Sequence, residues 1–121
     1  MKIYRYVIDL DGTLCSNTNG FYEEALPFVD RIQEVNKLYD KGHQIIIYTA
    51  RGMGRFNNDA IKAKLEFEEL TINQLKLWGV KYNSLYLGKP SGDFYIDDKA
   101  VTDSIFFSWS SEVEAIRICQ F

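Results

Sequence analysis

Cysteine and histidine are scarce in this sequence. Its 121 residues include two cysteines, Cys15 and Cys119, and one histidine, His43. The cysteines lie far apart, with no CxxC spacing and no histidine cluster, so the sequence indicates neither a disulfide framework nor a zinc site. Nothing near Cys15 would activate a thiolate, and His43 has no catalytic partner in the sequence. We expect both side chains to serve packing.

Long apolar runs and clusters of basic residues are also missing. No stretch approaches the roughly 20 apolar residues that span a bilayer. The N-terminus has no apolar leader that ends in small residues. We therefore expect a cytoplasmic protein without membrane insertion. The net charge is -3, and lysines and arginines are scattered, so duplex nucleic acid is not an expected partner.

The composition that remains is that of a globular protein. Hydrophobic residues make up 46% of the chain and charged residues 26%, which is enough apolar material for a core. A chain of this length predicts one domain over residues 1–121.

Strand and helix patterns alternate along the chain. The β-branched and aromatic run "IYRYVIDL" predicts a strand, and the near-continuous apolar run "HQIIIYTA" predicts a strand covered on both faces. Between them, a helical spacing of apolar residues ends at Gly42. Its members are Phe28, Val29, Ile32, Val35 and Leu38.

A second helix and further strands follow. The stretch "DAIKAKLEFEELTINQLKLWG" predicts a helix that stops at Gly79. Its expected buried positions are Ile61, Leu65, Ile72, Leu75 and Trp78. "SLYLG" and "DFYID" predict two short strands. An edge strand or extended stretch comes next, and then a helix that begins near Ser110 or Ser111.

This alternation predicts βαβ units, and hence an α/β fold with a three-layer, Rossmann-like parallel sheet and helices on both faces. Ligands of such sheets bind outside the carboxyl ends of the strands. Polar residues follow each predicted strand there: Asp9 and Asp11, Thr49 and Arg51, Lys89, and Asp97 and Asp98.

These residue types suit phosphoryl chemistry. Four clustered carboxylates would require a cation, and hard oxygen ligands favour Mg²⁺. Thr49 offers a hydroxyl beside the backbone N–H groups of Ala50 and Arg51, and Lys89 offers a point charge for a phosphoryl group. An aspartate can act as a nucleophile, and a second carboxyl two residues on can protonate the leaving oxygen and then activate water.

The motifs "DLDGTL", "IIIYTAR", "GKP" and "YIDD", in this order, resemble the four motifs of the haloacid dehalogenase superfamily of phosphatases. The resemblance implies Asp9 as nucleophile, Asp11 as general acid and base, Thr49 as phosphate binder and Lys89 as the stabilising charge. It also implies Mg²⁺ held by the Asp9 side chain, the Asp11 carbonyl and an acid of "IDD". Asp97 is then the expected ligand and Asp98 its support.

A narrower resemblance concerns substrate. "NGFYEEALP", "YTARGM" and "LYLGKP" are similar to stretches of the small bacterial phosphatases of capsule-polysaccharide biosynthesis. The chain has no room for a cap domain, and only residues 15–26 and 51–60 could form flaps. This implies either a bulky substrate, such as a phosphorylated sugar or glycan precursor, or closure of the site in a homo-oligomer. Phe21 or Tyr22 in the first flap would then stack on a sugar or base.

Other interpretations remain open at this point. Asp9 and Asp11 alone would fit a solvated Asp-Gly turn, Thr49 a strand cap, Lys89 a turn, and Asp97 and Asp98 helix-capping acids. Arg51 and Arg55 fit either a solvated surface or contact with a second anionic group. Alternative functions are a phosphatase of nucleotides or nucleic-acid ends, a receiver-like signalling or binding module, and a catalytically silent protein. A dehalogenase has no need of the acid at Asp11, and a phosphomutase would need a cap.

Overall fold

The computed structural model describes residues 1–109, which contain three strands and three α-helices. In chain order these are β1 (Arg5–Ile8), α1 (Val29–Asp40), β2 (Gln44–Thr49), α2 (Ala60–Leu77), β3 (Ser84–Leu87) and α3 (Asp103–Phe106). A short 3-10 helix, Tyr22–Glu24, precedes α1. Two compact units are present, one of residues 1–91 and one that begins at Gly92. The prediction of a single domain over residues 1–121 stays a prediction.

The first unit is built on a parallel sheet in the order β1-β2-β3. Val7 pairs with Ile46, and Thr49 pairs with Leu87. Parallel neighbours need a long crossover connection, and here α1 and α2 provide the two crossovers. The carboxyl ends of all three strands therefore meet at one edge. This confirms the predicted α/β class and parallel sheet, while helices on both faces stay a prediction.

The central strand β2 is the most enclosed part of the sheet. Ile45 and Ile47 are fully buried, and Ile46 and Tyr48 are partly buried. An apolar run without polar alternation is typical of a strand covered on both faces. His43, directly before the strand, is buried too, and its Nδ1 accepts from the Tyr4 backbone N–H at 3.1 Å. The packing role predicted for His43 is confirmed.

Helix α1 follows the predicted pattern in part, because Phe28 precedes the helix and both Phe28 and Val29 are exposed. Ile32, Val35 and Leu38 form its buried stripe, at the spacing that places side chains on one helix face. The helix ends at Asp40, and Gly42 follows with φ +96°. Glycine adopts this left-handed conformation without steric cost, so it stops the helix where predicted.

Helix α2 has the predicted extent but buries a different face. Asp59 caps it by accepting from the backbone N–H groups of Ile61 and Lys62, both at 3.1 Å. The predicted burial of Ile61 and Leu65 is wrong, because these side chains are 74% and 83% exposed. Ile72 is 42% exposed, and Trp78 is only partly buried. The predicted burial of Leu75 is confirmed, and the other buried residues of the helix are Ala63, Phe67, Thr71 and Gln74.

The physical reason lies in the partners of this face. Thr71 and Gln74 are polar, yet both hydrogen-bond a buried arginine, Arg51. Hydrogen bonding removes most of the cost of burying a polar group. The helix therefore turns these polar residues inward, and the apolar side chains at positions 61 and 65 face outward.

The second unit contains no strand within residues 92–109, so the strand predicted at "DFYID" is wrong. Phe94 and Ile96 are 85% and 97% exposed. A short apolar run is compatible with a strand, but a strand also needs a neighbour for its backbone N–H and C=O groups. Helix α3 lies where an edge strand or extended stretch was predicted, so that prediction is wrong. The predicted helix that begins near Ser110 or Ser111 lies outside the described residues.

None of the helices within residues 1–109 combines the length and the apolar character that a membrane span requires.

Candidate active site

Three strand ends bring polar residues together at the carboxyl edge of the sheet. Asp9 follows β1, Thr49 ends β2, and Lys89 lies two residues beyond β3. The Lys89 backbone N–H donates to the Thr49 carbonyl at 3.2 Å. The Lys89 Nζ lies 3.4 Å from Asp9 Oδ1. The three residues therefore lie close together, as the order of strands and polar residues in the sequence predicted. Their chemical roles stay predictions.

Asp9 is fixed in place and still reachable. Its Oδ2 accepts a hydrogen bond from Thr13 Oγ1 at 3.1 Å. The side chain remains 34% exposed. A fixed, partly exposed carboxylate beside a lysine is able to bind a cation or to attack an electrophilic phosphorus.

The turn after Asp9 depends on Gly12. This residue has φ +85°, and a Cβ at its position would lie 2.7 Å from the Asn17 Nδ2 atom. The turn closes through the Leu10 carbonyl, which accepts from the N–H groups of Thr13 and Leu14. The glycine of "DLDGTL" is therefore required by the backbone that aims Asp9.

Asp11 is paired with a buried arginine. Arg51 Nε donates to Asp11 Oδ2 at 2.9 Å, and Arg51 Nη2 donates to Asp11 Oδ1 at 3.0 Å. The Arg51 side chain is fully buried, and that of Asp11 is 17% exposed. Two roughly parallel N–H···O bonds fix both the position and the plane of a carboxylate. Asp11 is therefore held at both oxygens.

The other N–H groups of Arg51 are also occupied. Nη1 donates to Thr71 Oγ1 at 3.2 Å and to Gln74 Oε1 at 2.5 Å. Nη2 also lies 3.9 Å from the Cys15 sulfur. A guanidinium has five N–H donors, so each has a partner within the protein. The Tyr22 ring adds a cation–π contact at 5.0 Å.

This placement differs from both expectations for Arg51. The surface interpretation is wrong, because the residue is 1% exposed. Contact of its guanidinium with a substrate would require one of the internal hydrogen bonds to break. Arg55, by contrast, is exposed, and its Nη2 donates to the Gly20 carbonyl at 3.0 Å.

Thr49 is more enclosed than a simple phosphate-binding hydroxyl. The residue is 1% exposed. Its Oγ1 accepts from the Arg51 backbone N–H at 3.1 Å, so the hydroxyl fixes the start of the loop after β2. Ala50, which follows it, is partly exposed. The predicted phosphate contacts at Thr49 and Ala50 stay predictions.

Cys15 is a buried thiol at the back of the acidic turn. Burial, and then the nearby Asp11 carboxylate, raise the pKa of Cys15 to about 12. Its sulfur lies 3.4 Å from Asp11 Oδ1 and 3.7 Å from the Leu10 carbonyl. The burial of Cys15 confirms its predicted packing role. A raised pKa also keeps the thiol in its less nucleophilic, protonated form.

The two predicted flaps are joined to each other. The Gly52 backbone N–H donates to Tyr22 Oη at 2.9 Å, and Gln74 Nε2 donates to the Tyr22 carbonyl at 2.7 Å. The Tyr22 ring also packs edge-on against Phe67, with centroids 4.8 Å apart. Tyr22 therefore serves the structure of the flap, while the neighbouring Phe21 is 60% exposed.

Asp97 and Asp98 lie in the second unit and are exposed. The Lys99 backbone N–H donates to Asp97 Oδ1 at 2.9 Å, and this hydrogen bond, with a smaller contribution from Asp98, lowers the pKa of Asp97. The strand that was expected to carry them is absent. Their assignment as metal ligands stays a prediction that rests on the resemblance.

The first unit offers Mg²⁺ a carboxylate ligand of suitable type at Asp9. Within residues 1–109 no group of three or more His, Cys, Asp or Glu side chains is placed to hold a metal. Asp9 offers a partly exposed carboxylate, whereas both oxygens of Asp11 accept from Arg51. Mg²⁺ binds through one or two carboxylates and completes its shell with water and phosphate oxygens. The Asp9 carboxylate is therefore compatible with this ion.

Sequence reasoning missed Thr71 and Gln74 as parts of the site. The sequence does contain a pattern that points to them. Thr71 and Gln74 are spaced so that they share one helix face with Ala63 and Phe67. Polar residues on a helix face whose other side chains are small or aromatic indicate a buried hydrogen-bond partner. Tyr22 was expected to stack on a sugar or base, whereas its hydroxyl, carbonyl and ring have partners within the protein.

The fold and the site together define a small α/β protein with an acidic site at the carboxyl edge of a parallel sheet. The chain is similar to the crystal structure of an MCSG target from Vibrio cholerae, with 31% sequence identity and a TM-score of 0.84. The match covers 95% of this chain and 94% of that one. The chain belongs to the same family as this Vibrio cholerae protein, whose description states no function. No protein-family model matches the chain, and no curated protein matches it.

Proposed function

We propose that the chain is a Mg²⁺-dependent phosphomonoester hydrolase that works through an aspartyl-phosphate intermediate on Asp9. One observation carries the proposal: the Asp9 carboxylate is 34% exposed and lies 3.4 Å from the Lys89 ammonium at the carboxyl edge of the sheet. Ligands of parallel α/β sheets bind at this edge. The resemblance of the four motifs to the haloacid dehalogenase superfamily supports the same chemistry. On the same basis we propose that the α/β fold is the three-layer fold with helices on both faces of the sheet.

In the first step an Asp9 oxygen attacks the phosphorus of the ester. The new bond joins that oxygen to phosphorus, the bond from phosphorus to the leaving oxygen breaks, and the protonated form of Asp11 gives its proton to the leaving oxygen. In the second step Asp11 accepts a proton from water, the water oxygen attacks phosphorus, and the bond to Asp9 breaks. The products are an alcohol and inorganic phosphate, and both aspartates return to their initial states.

Lys89 has a defined part in this scheme. Its ammonium neutralises charge between the Asp9 carboxylate and the phosphoryl oxygens, which otherwise repel each other. Mg²⁺, when bound at the Asp9 carboxylate and the Asp11 carbonyl, would supply a second positive charge beside the phosphoryl group. Asp97 as a further ligand is what the resemblance implies. Thr49 and the backbone N–H of Ala50 are proposed to hold the remaining phosphoryl oxygens.

The proposed substrate is a phosphorylated sugar or glycan precursor of capsule-polysaccharide biosynthesis, as the narrower resemblance implies. Residues 9–28 and 50–59, the stretches that connect the strands to α1 and α2, are too short to hold a cap domain. Phe21 is 60% exposed on the first of them, and an exposed aromatic ring suits stacking on a sugar face.

The test compares wild type with Asp9→Asn in phosphate release from an aryl phosphate in the presence of Mg²⁺. We expect the variant to lose turnover, because an amide is not a competent nucleophile. Asp30→Asn, the same change at an exposed position on α1, is the matched control and should retain the wild-type rate. Retained turnover by Asp9→Asn would contradict the nucleophile assignment, and undiminished turnover in EDTA would contradict the metal.

A further inference from the structure

We propose that Arg51 is a positioning residue for the proton transfer assigned to Asp11, and that helix α2 holds Arg51 for this purpose. The inference rests on the proposed hydrolysis through Asp9, because it concerns the leaving group of that same reaction. It assigns a role to three buried polar residues, Arg51, Thr71 and Gln74, that take part in none of the steps proposed above.

The first argument is that Arg51 is anchored at both ends. Its backbone N–H donates to Thr49 Oγ1 at 3.1 Å, at the end of the central strand. Its guanidinium donates to Thr71 and Gln74 on α2. The side chain therefore spans from the sheet edge to the helix, and Asp11 receives two N–H groups whose positions are set by both elements.

The second argument is that the two acceptors on α2 are themselves oriented. Thr71 Oγ1 donates its own hydrogen to the Phe67 carbonyl at 2.8 Å, so a lone pair is left to face Arg51. Gln74 Nε2 donates to the Tyr22 carbonyl at 2.7 Å, which turns the amide oxygen toward Arg51. A fully satisfied network of this kind holds one geometry, because a rotation of any member leaves a buried polar group unpaired.

The third argument concerns what Asp11 has to do. To protonate the leaving oxygen, the Asp11 carboxyl has to present one of its oxygens to the substrate in a fixed orientation. The two N–H···O bonds from Arg51 set the plane of that carboxyl. Misplacement of a catalytic group by about 1 Å can cost roughly 10²-fold in rate. Lysine at position 51 would keep the charge but has no planar pair of donors, so it cannot hold the carboxyl plane.

The leaving group separates this role from a purely structural one. An aryl phosphate releases a phenolate that is stable without a proton, whereas an alkyl or sugar phosphate needs a proton on its leaving oxygen. A defect in the position of Asp11 should therefore slow alkyl esters selectively. General damage to the site would slow both kinds of ester.

The experiment measures kcat and KM of wild type, Arg51→Lys and Thr71→Val on p-nitrophenyl phosphate and on a sugar phosphate that the wild type hydrolyses. We expect Arg51→Lys to lower kcat on the sugar phosphate by roughly 10²-fold, with KM unchanged and only a few-fold loss on the aryl ester. Thr71→Val should also lower kcat selectively on the sugar phosphate, but by a smaller factor. Arg5→Lys, a matched change at an exposed position, should resemble wild type.

Equal loss on the two esters, or no loss on the sugar phosphate, would overturn the inference. In an Asp11→Asn background Arg51→Lys should cause no further loss, and an additional loss there would also overturn it. If Arg51→Lys does not fold, Thr71→Val decides by the same comparison. Failure of the proposed function gives different results. In that case Asp9→Asn would keep wild-type turnover, or the wild type would hydrolyse neither ester. Either result would also overturn the inference about Arg51.

Discussion

Replacement of Arg51 by methionine is expected to destabilise the protein far more than the same replacement at Arg55. Arg51 is fully buried and forms a bidentate pair with Asp11. Removal of one partner of a buried pair costs about 3–5 kcal/mol, because the other charge is left without compensation. Arg55 is exposed, and the loss of its contacts should cost about 1 kcal/mol or less.

Equilibrium unfolding in urea, followed by circular dichroism, measures the difference. The free energy of unfolding of a domain this size is only about 5–15 kcal/mol, so Arg51→Met should shift the urea midpoint strongly at an unchanged slope. The melting temperature should fall by roughly 10–20 °C, at about 4 °C for each kcal/mol. If Arg51→Met and Arg55→Met differ by less than about 1 kcal/mol, the buried pair does not have the importance argued from its geometry.

A double variant gives an independent check of the same reasoning. Replacement of both members of a buried ion pair by apolar residues is often neutral, since no charge is left unpaired. Asp11→Leu combined with Arg51→Met should therefore lose less stability than the sum of the two single changes. Strict additivity would mean that Asp11 and Arg51 do not interact in solution.

Three further predictions concern the surroundings of the site. Gly52→Ala should lower the free energy of unfolding, measured in urea, by about 1–3 kcal/mol. The reason is that Gly52 has φ +78° and a Cβ there would lie 2.6 Å from Phe67 Cδ2. An unchanged urea midpoint would contradict this prediction. Asp59→Ala should lower the free energy of unfolding by about 1 kcal/mol through loss of the α2 N-cap. Asp59→Ser should lower it less, and equal losses in the two variants would contradict the capping role of Asp59. The pKa of Cys15 is raised from 9.0 to about 12, so the unfolded thiol ionises first and stability should fall as pH rises from about 9 to 12. Urea titrations of Cys15→Ala should show a weaker fall over this pH range, and an identical pH dependence would contradict the buried thiol.

Much of the sheet could be predicted because local signals and tertiary structure agree there. The apolar run from Ile45 to Ile47 has β-branched side chains suited to a covered strand. Gly42 and Gly79 stop helices because both take positive φ values, +96° and +70°. Once the strands are parallel, their carboxyl ends share one edge, so the meeting of Asp9, Thr49 and Lys89 follows from topology.

The internal partners of Arg51 could not be predicted in the same way. Whether an arginine near a strand end faces solvent or a buried carboxylate depends on what the following helix presents. Thr71 and Gln74 lie twenty or more positions further along the chain. The inward face of α2 was mispredicted for the same reason, since periodicity favours apolar residues and this helix buries polar ones. "DFYID" has the apolar pattern of a strand, but strand pairing is a property of two segments.

The central claim is that Asp9 becomes phosphorylated during turnover. Borohydride reduces an acyl phosphate to an alcohol, so treatment of the enzyme during turnover of an aryl phosphate in Mg²⁺ should convert Asp9 to homoserine. Peptide mass spectrometry would locate the change. The account predicts homoserine at position 9, dependent on substrate and absent from the Asp9→Asn variant. An unmodified Asp9 in enzyme that is turning over, or homoserine at another position, would contradict it.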